Sequence, residues 1–399
     1  MGREIMKKFS LIIVLCLIFT TGCTEEKCEI SDVDGKDVSM YVQESEQLYL
    51  DFESSDTECK DNSSYSPINY KNQIGIWLPF MDYEDILINK SEEQFKECVK
   101  KRFSDFKAQG FNTVYVHVRA YGDAYYKSEI FPKGTLYNGD YDPLQIMVEE
   151  AHSQELSIQG WINPLRCQTE EQMKTVSDEF KLKKWYAERN GTYICTVNGR
   201  CYLNPAYDDV ISLITDGVSE ILENYDVDGI HIDDYFYPTV DESFDMDAFS
   251  KSGENDLVQW RLNNCSKMVK AIYDCVKEKN KELIFSISPQ GRVDANYTSQ
   301  FADVKLWGST KGYCDCLIPQ LYYGFENESC PFEKALDDWE SIVTCSDVSL
   351  VIGLAGYKQG KEDTWAGSGK NEWIEHDDII ERQKEIVNSS LADGYAVYN

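Results

Sequence analysis

The chain has 399 residues, with 39 Lys and Arg against 70 Asp and Glu, so its formal net charge is −31 at pH 7. Nucleic acids and anionic lipids are bound through basic surfaces, and so large an acidic excess argues against both classes of partner. Neutral and zwitterionic substrates are compatible with this charge.

The first 23 residues have the pattern of an export signal. In "MGREIMKKFSLIIVLCLIFTTGC" a basic start precedes an apolar run from Leu11 to Phe19 and small residues before Cys23. The run is too short for a permanent membrane span. The ending "FTTGC" resembles a bacterial lipobox, which predicts lipidation of Cys23 and an extracytoplasmic domain held at the cell membrane by a lipid anchor only. Thr20 stands where Leu is usual, so cleavage at an ordinary signal site is one alternative and an uncleaved anchor is another.

Residues 24–67 are acidic, rich in Ser and poor in periodic apolar residues. Such a segment buries too little surface to offset the entropy lost on ordering, so we predict a disordered linker. The remaining residues, 68–399, are predicted to form the folded domain.

The cysteines and histidines do not predict a metal site. Fourteen Cys and four His occur in the chain, but no CxxC pair is present and the His are widely scattered. Cys195 and Cys201 flank the turn-like "TVNGR", a spacing that would allow a disulfide across a hairpin.

Short apolar strands alternate with helical stretches from residue 68 onward, which is typical of a parallel sheet wrapped by helices. The predicted strands cover 73–80, 112–119, 156–164, 229–236, 283–290, 316–324, 349–357 and 395–399. The predicted helices cover 91–110, 142–154, 208–225 and 256–280, and a capping-box pattern begins the first of them. Eight strands predict a (β/α)8 TIM barrel with insertions. A doubly wound open sheet is the alternative, but no GxGxxG turn follows any strand.

Polar and aromatic residues concentrate at the ends of five predicted strands, where the loops of a barrel surround one mouth. They are His117, Arg119 and Asp123; Trp161, Asn163 and Arg166; His231, Asp233, Asp234 and Tyr235; Gln290 and Arg292; and Gln320, Tyr322 and Tyr323. Carboxylates among amides and aromatic rings suit the cleavage of sugars. Two of these residues have a simpler interpretation, since His117 fits a core histidine and Arg166 fits a structural ion pair.

The stretch "DGIHIDDYFYP" (228–238) ends its strand with two adjacent carboxylates. Residues two apart in a strand share a face, so Asp233 is expected to point into the barrel with His231 and Tyr235. Asp234 is expected to point outward unless the strand bends at its end. The structural alternative for either Asp is the cap of a following helix.

Seven ordered blocks of the chain resemble the glycosyl hydrolase-like family 10, a group of bacterial exported barrel proteins, many of them lipoproteins. The blocks are "VRAYGDAYYKSEIFP" (118–132), "YDPLQIMVEEAH" (141–152), "WINPLR" (161–166), "YLNPAYDDV" (202–210), "YDVDGIHIDDYFYP" (225–238), "SISPQGR" (286–292) and "IPQLYYG" (318–324). The resemblance covers about residue 73 to the end, and it implies hydrolysis of a glycosidic bond in cell-wall glycan strands of alternating amino sugars. The family usually has "RP" where this chain has Arg119 and Ala120.

Two other families are similar to this chain at the same strand. The stretch 228–238 is similar to the strand-four motif of family 18 chitinases, but Tyr235 stands in the place of their catalytic Glu. The α-amylase superfamily has a nucleophilic Asp there, which suits Asp233 better, although Gln290 stands in the place of its strand-five Glu. An α-glucan hydrolase is therefore one alternative function, and a surface lipoprotein that binds glycan without cleaving it is another.

We predict an exported glycoside hydrolase that acts on a polysaccharide of the peptidoglycan type and uses no metal or organic cofactor. The predicted catalytic residues are Asp233, Asp234 and, as a possible partner, Asp123. The predicted substrate-binding residues are Arg119, Trp161, Asn163, His231, Tyr235, Gln290, Gln320 and Tyr322. Asp233 is expected to stay ionised beside Arg119 or another cation, and Asp234 to retain its proton among aromatic rings, as a general acid needs.

Overall fold

The computed structural model describes residues 65–188 and 191–399 of the chain. The predicted export signal, Cys23 and all but the last three residues of the predicted linker lie outside the described residues. Within the described ranges, no helix is both long and apolar enough to cross a membrane.

Eight parallel strands close into a barrel, which confirms the predicted fold class. The strands in chain order are β1 (Gln73–Leu78), β2 (Thr113–Arg119), β3 (Ser157–Ile162), β4 (Arg166–Thr169), β5 (Ile194–Val197), β6 (Arg200–Leu203), β7 (Gly229–Ile232), β8 (Ile284–Ile287), β9 (Cys316–Leu317), β10 (Ser349–Ala355) and β11 (Gly394–Tyr398). The barrel order is β1, β2, β3, β7, β8, β9, β10 and β11, with β11 paired to β1.

Helices cover the outside of the barrel. They are α1 (Tyr83–Ile86), α2 (Glu92–Ala108), α3 (Pro143–Ser153), α4 (Glu170–Thr175), α5 (Lys181–Glu188), α6 (Asp208–Asn224), α7 (Met246–Ser252), α8 (Leu257–Lys279), α9 (Val293–Ser299), α10 (Val304–Ser309), α11 (Phe332–Ile342), α12 (Glu372–Glu375) and α13 (Ile379–Asn388). The predicted capping box is present at α2, where Ser91 and Gln94 exchange side-chain to backbone hydrogen bonds. It satisfies amide groups that the first turn of a helix leaves without partners.

A small antiparallel sheet of β4, β6 and β5 follows the third barrel strand. Its hairpin of β5 and β6 turns at "TVNGR", as the sequence suggested, whereas β4 was not predicted. The register of β5 and β6 pairs Cys195 with Tyr202, and Thr196 with Cys201. Neighbouring residues in a strand face opposite ways, so the two cysteines lie on opposite faces of the hairpin. Both cysteines are free, and the hairpin disulfide does not form.

The amino ends of the barrel strands are tied to the segment before β1 through Asp228, which precedes β7. The fully buried carboxylate accepts hydrogen bonds from the backbone N–H groups of Ile68 and Ile158, at 2.5 and 2.6 Å, and from the hydroxyl of Tyr65. His152 lies 3.1 Å away on the same carboxylate. Asp228 therefore links the segment before β1 to the face of the barrel that lies opposite the carboxyl ends of the strands.

The barrel interior is aromatic. Its buried cluster comprises Trp77, Tyr115, Trp161, Cys316, Ile318, Val351 and Ala396. His231 of β7 is fully buried among these rings, where its Nε2 accepts from the indole N–H of Trp77 at 3.0 Å and its Nδ1 lies 2.7 Å from the Ser286 hydroxyl. Because Nε2 accepts, Nδ1 carries the proton of the neutral ring. His231 is thus fixed as part of the barrel packing.

Candidate active site

A cavity of about 480 Å³ opens at the carboxyl ends of the barrel strands. Its walls combine aromatic rings with a few polar groups, as in many small-molecule sites. The lining residues are Trp77, Phe80, Met81, His117, Tyr121, Trp161, Arg166, Asp233, Asp234, Tyr235, Ser288, Gln320, Tyr322, Tyr357 and Tyr398. A larger groove, of about 950 Å³, lies on the outer side between the loop after β2 and α6, and many of its lining residues are exposed charged side chains. We place the site in the cavity because it contains the buried carboxylates.

Asp233 is held at the base of the cavity by a chain of hydrogen bonds. It is only 4% exposed, and its Oδ1 accepts from the side-chain amide of Asn163 at 2.5 Å and from the backbone N–H of Tyr235 at 3.3 Å. The Asn163 Oδ1 in turn lies 2.5 Å from Nε2 of His117, which stacks on Trp161 with ring centres 3.8 Å apart. Both hydrogen bonds to Asp233 go to its Oδ1, and the residue lines the cavity.

Asp234 also lines the cavity, although strand alternation predicted that it would point outward. The cause is the early end of β7 at Ile232, which frees the next two residues from the strand geometry. The Asp234 Oδ1 accepts from the side-chain amide of Gln320 at 3.3 Å. Asp234 is half-buried whereas Asp233 is buried, so the two adjacent carboxylates sit at different depths.

Burial raises the pKa of Asp233, and the neighbouring charge of Asp234 raises it further, against the opposing effect of the hydrogen bond from Asn163. Burial likewise raises the pKa of Asp234, against the hydrogen bond from Gln320. Desolvation disfavours an isolated charge, and two carboxylates in one site resist ionising together. The expectation that Asp233 stays ionised is therefore not met in the unliganded protein, because burial and the charge of Asp234 both favour a proton on Asp233. The two carboxyl groups are best described as a pair that holds one proton.

Arg166 is the cation that faces this pair. Its guanidinium lies between two rings, 4.6 Å from the centre of Tyr121 and 3.9 Å from that of Tyr235. The positive charge lowers the pKa of both Asp233 and Asp234 without offsetting the effect of burial. The structural ion pair that the sequence suggested for Arg166 is replaced by stacking on aromatic faces, which is a favourable setting for a guanidinium group.

Residues 73–366 match the sequence model of the family described as glycosyl hydrolase-like 10. The chain belongs to this family. It is 27% identical over 328 residues to Glycosyl hydrolase YngK of Bacillus subtilis, covering 75% of this chain and 63% of YngK. It is 28% identical over 313 residues to Glycosyl hydrolase DigH of Escherichia coli O6:H1, covering 71% of this chain and 70% of DigH. The chain therefore spans about two thirds of the length of these curated relatives.

Solved structures of glycoside hydrolases share the barrel of this glycosyl hydrolase-like 10 chain. The PgaB (BpsB) glycoside hydrolase domain from Bordetella bronchiseptica superposes with a TM-score of 0.53 at 11% identity, covering 83% of this chain and 94% of that one. Alpha-L-fucosidase isoenzyme 2 from Paenibacillus thiaminolyticus has a TM-score of 0.50 at 14% identity, covering 82% and 46%. At such low identity, these likenesses establish the fold alone.

Five predicted site residues lie outside the cavity lining, namely Arg119, Asp123, Asn163, His231 and Gln290. A shift in register between His117 and Arg119 interrupts β2, so the side chain of Arg119 leaves the inward face that alternation predicted. Arg119 is fully buried with its guanidinium 4.2 Å from the ring centre of Phe131 and against Gly217 of α6. Asp123 accepts from the backbone N–H groups of Ala120 and Tyr121, at 3.1 and 2.9 Å, and thereby closes its own loop.

The remaining predicted residues take three kinds of position relative to the cavity. Trp161, Tyr235, Gln320 and Tyr322 line the cavity together with the two aspartates. Asn163 supports Asp233 from behind, and His231 lies beneath the cavity in the barrel interior. Gln290 is outside the lining, with its amide 3.4 Å from the hydroxyl of Ser299.

The sequence interpretation missed part of the aromatic wall. Trp77, Phe80 and Met81 at the end of β1, Tyr121 after β2, and Tyr357 and Tyr398 at the last two strands all line the cavity. These residues also lie at the ends of strands, as in "WLPFM" and "AGYK", which is the criterion that selected the polar residues. They were not selected because, in the sequence, an aromatic residue at a barrel mouth cannot be distinguished from a core residue. His117, predicted as core, is buried and also lines the cavity.

The described residues, 65–188 and 191–399, do not form a recognisable metal-binding site. No group of three or more His, Cys, Asp or Glu side chains there could hold a metal ion.

Proposed function

We propose that this chain is a glycoside hydrolase, and that Asp233 and Asp234 carry the reaction. The observation behind the proposal is the pair of carboxylates with raised pKa that face one aromatic cavity at the mouth of the barrel. Cleavage of a glycosidic bond needs a carboxylic acid that keeps its proton near neutral pH and a second carboxylate to stabilise developing positive charge. The desolvated pair supplies both, since raised pKa values favour a form in which the pair holds one proton.

The walls of the cavity suit a sugar. Trp77, Trp161, Tyr322 and Tyr398 present aromatic rings of the kind that pack against the apolar faces of sugar rings. Four polar atoms on the lining residues are buried without a hydrogen-bond partner, namely Nδ1 of His117, Nε1 of Trp161, Nε of Arg166 and Oγ of Ser288. Buried polar atoms are costly unless they are paired, so a ligand rich in hydroxyl groups would relieve this cost.

We propose peptidoglycan-type glycan strands as the substrate, and attachment of the domain outside the cytoplasm through a lipid on Cys23. The export pattern of residues 1–23 supports this location, where the wall polymer is found. The net charge of −31 is compatible with a glycan and opposes nucleic acid.

Purified protein incubated with peptide-free glycan strands tests the proposal, with new reducing ends counted and products identified by mass spectrometry. We expect cleavage by the wild type, and a loss of roughly 10²–10⁴-fold in rate for Asp233→Asn and for Asp234→Asn. Asp274→Asn, on the exposed face of α8, is the matched control and should keep full activity. Starch and glycogen fragments in the same panel test the α-glucan alternative. A wild type that cleaves none of these polymers would contradict the proposal.

Gln290 favours a second candidate, a protein that binds glycan without cleaving it. The residue follows β8, where the α-amylase superfamily has a Glu, and it lies outside the cavity lining. A binder of this kind would retain glycan in a pull-down and would release no new reducing ends.

A further inference from the structure

The two carboxylates of the cavity come from consecutive residues of one strand end. Asp233 and Asp234 are the carboxylates among the described residues that line the cavity, and the other lining residues are aromatic, neutral or basic. A glycosidase that uses a side chain as nucleophile needs one carboxylate below the anomeric carbon and another beside the leaving oxygen. Here both groups belong to the same short segment after Ile232.

The surroundings of each carboxylate indicate different partners. Asp233 lies deep, and the two hydrogen bonds from Asn163 and from the Tyr235 backbone N–H both go to its Oδ1. Burial disfavours its charge more than Arg166 favours it, so a cation that forms during the reaction would stabilise the Asp233 carboxylate. Asp234 is half-buried and accepts hydrogen bonds from the side chains of Gln320 and Gln300, so it is better placed beside a leaving group that departs toward solvent.

Buried rings surround the deep carboxylate. Trp77 and Trp161 are 4% and 6% exposed, whereas Tyr235 and Met81 at the rim are 42% and 49% exposed. Buried rings therefore line the deep end, and a small apolar group such as a methyl would pack against them on the side where Asp233 lies. An acetamido substituent has both a methyl and an N–H group.

We propose that the cleaved sugar carries a 2-acetamido group whose own carbonyl oxygen is the nucleophile, with Asp233 orienting its N–H and Asp234 protonating the leaving oxygen. The proposal rests on the glycosidase function proposed above and deepens it, since it defines the substrate by its 2-substituent. Some glycosidases are known to replace the enzyme nucleophile by the substrate in this way.

The reaction balances in two steps. The N–H of the bound acetamido group favours the ionised form of Asp233, so the one proton of the pair lies on Asp234 in the complex. In the first step, the acetamido oxygen bonds to the anomeric carbon, the glycosidic C–O bond breaks, and the Asp234 carboxyl proton moves to the leaving oxygen. The resulting oxazolinium ring is positively charged, and the Asp233 carboxylate accepts its N–H and offsets that charge. In the second, water attacks the anomeric carbon, gives its proton to Asp234, and reopens the ring. Two displacements at one carbon return the original anomeric configuration.

A comparison of three glycan preparations on the wild-type protein tests the proposal. The preparations are N-acetylated strands, the same strands after N-deacetylation, and the deacetylated strands after chemical re-acetylation. We expect the rate to fall on the order of 10²-fold or more on deacetylation, because the intramolecular nucleophile is lost, and to return on re-acetylation. Proton NMR of the first product should show retention of configuration.

Variants give a second readout. With a nitrophenyl glycoside of an N-acetylated sugar, whose leaving group needs little protonation, Asp234→Asn should recover much of its activity and Asp233→Asn should not. A thiazoline analogue of the oxazolinium ring should inhibit the wild type and bind Asp233→Asn more weakly, as measured by calorimetry. Thermal unfolding of both variants checks that each is folded.

The outcomes separate the two proposals. Cleavage of deacetylated strands within a few-fold of the wild-type rate on acetylated strands, or an inverted product, would overturn the substrate nucleophile and leave the glycosidase function standing. Failure of the wild type to cleave any glycan would overturn both.

Discussion

Asn163 donates its side-chain amide hydrogen to Asp233, so its carbonyl oxygen is turned toward Nε2 of His117. This orientation places a proton on Nε2 of His117, and burial lowers the pKa of that ring to about 3, so the histidine is neutral. The neutral His117 on β2 thereby sets the orientation of the Asn163 amide after β3. The Asn163 amide in turn holds the carboxylate of Asp233, which follows β7.

Asn163→Ala should lower kcat/KM by roughly 10- to 100-fold, the worth of one hydrogen bond to a charged group. Without the amide, the pKa of Asp233 should rise, because that hydrogen bond now opposes the effect of burial. The measurement is glycan cleavage with folding checked by circular dichroism, and Asn224→Ala on the exposed end of α6 is the control. Unchanged kinetics would mean that Asp233 does not depend on this support.

Arg166→Met should move the alkaline limb of the pH–rate profile to higher pH. A general acid loses activity as pH rises through its pKa, and burial raises both carboxyl pKa values above the ordinary range of about 4. Arg166 lowers both pKa values, so its removal should raise them. Arg292→Met, at an exposed arginine paired with Asp294, should leave the limb in place. A limb that moves to lower pH would contradict the assignment of Arg166.

Asp233→Asn should stabilise the protein at neutral pH while abolishing turnover. The pKa of Asp233 is raised in the folded state, so the folded chain holds a proton that the unfolded chain releases, and stability falls as pH rises between the two pKa values. Asparagine does not ionise, so the variant does not lose this stability as pH rises. Its melting temperature should exceed that of the wild type by about 2–4 °C for each kcal/mol of unfolding free energy that it retains. The difference should vanish near pH 3, and a lower melting temperature at pH 8 would refute the prediction.

Asp123→Asn should keep turnover within about two-fold of the wild type, because Asp123 closes its own loop and does not line the cavity. Asp123→Ala should cost about 1–3 kcal/mol in the free energy of unfolding, since two backbone N–H groups lose their acceptor. Urea unfolding measures the cost. If Asp123→Asn instead lost activity as fully as Asp233→Asn, the loop aspartate would be the partner carboxylate.

Most of the fold could be predicted because each element has a local signal. The helix predicted over 256–280 is α8, Leu257–Lys279, and seven of its apolar positions repeat with helical period. The site could be predicted only where strand alternation holds. Arg119 was placed wrongly because an irregularity in β2 changes the direction in which one side chain points. Asp234 was predicted as a site residue, but alternation alone would turn it outward, and it lines the cavity because β7 ends early. The irregularity in β2 and the early end of β7 both depend on pairing with strands that are distant in the sequence. The residue pattern of one strand does not contain this information.

The hydrogen bonds of Tyr65 and Ile68 to Asp228 have a practical meaning for how the protein is oriented. Asn69 and Tyr70 also bond to carbonyls just ahead of barrel strands, those of Glu282 and Glu155. The chain thus enters the barrel at its amino-end face, and the cavity opens at the other end, a strand length of about 20 Å away. A bead or biotin attached at Tyr65 itself would therefore join the domain at the end opposite the cavity. Attachment at that point leaves the mouth clear of the support, so that a long polymer can still reach it.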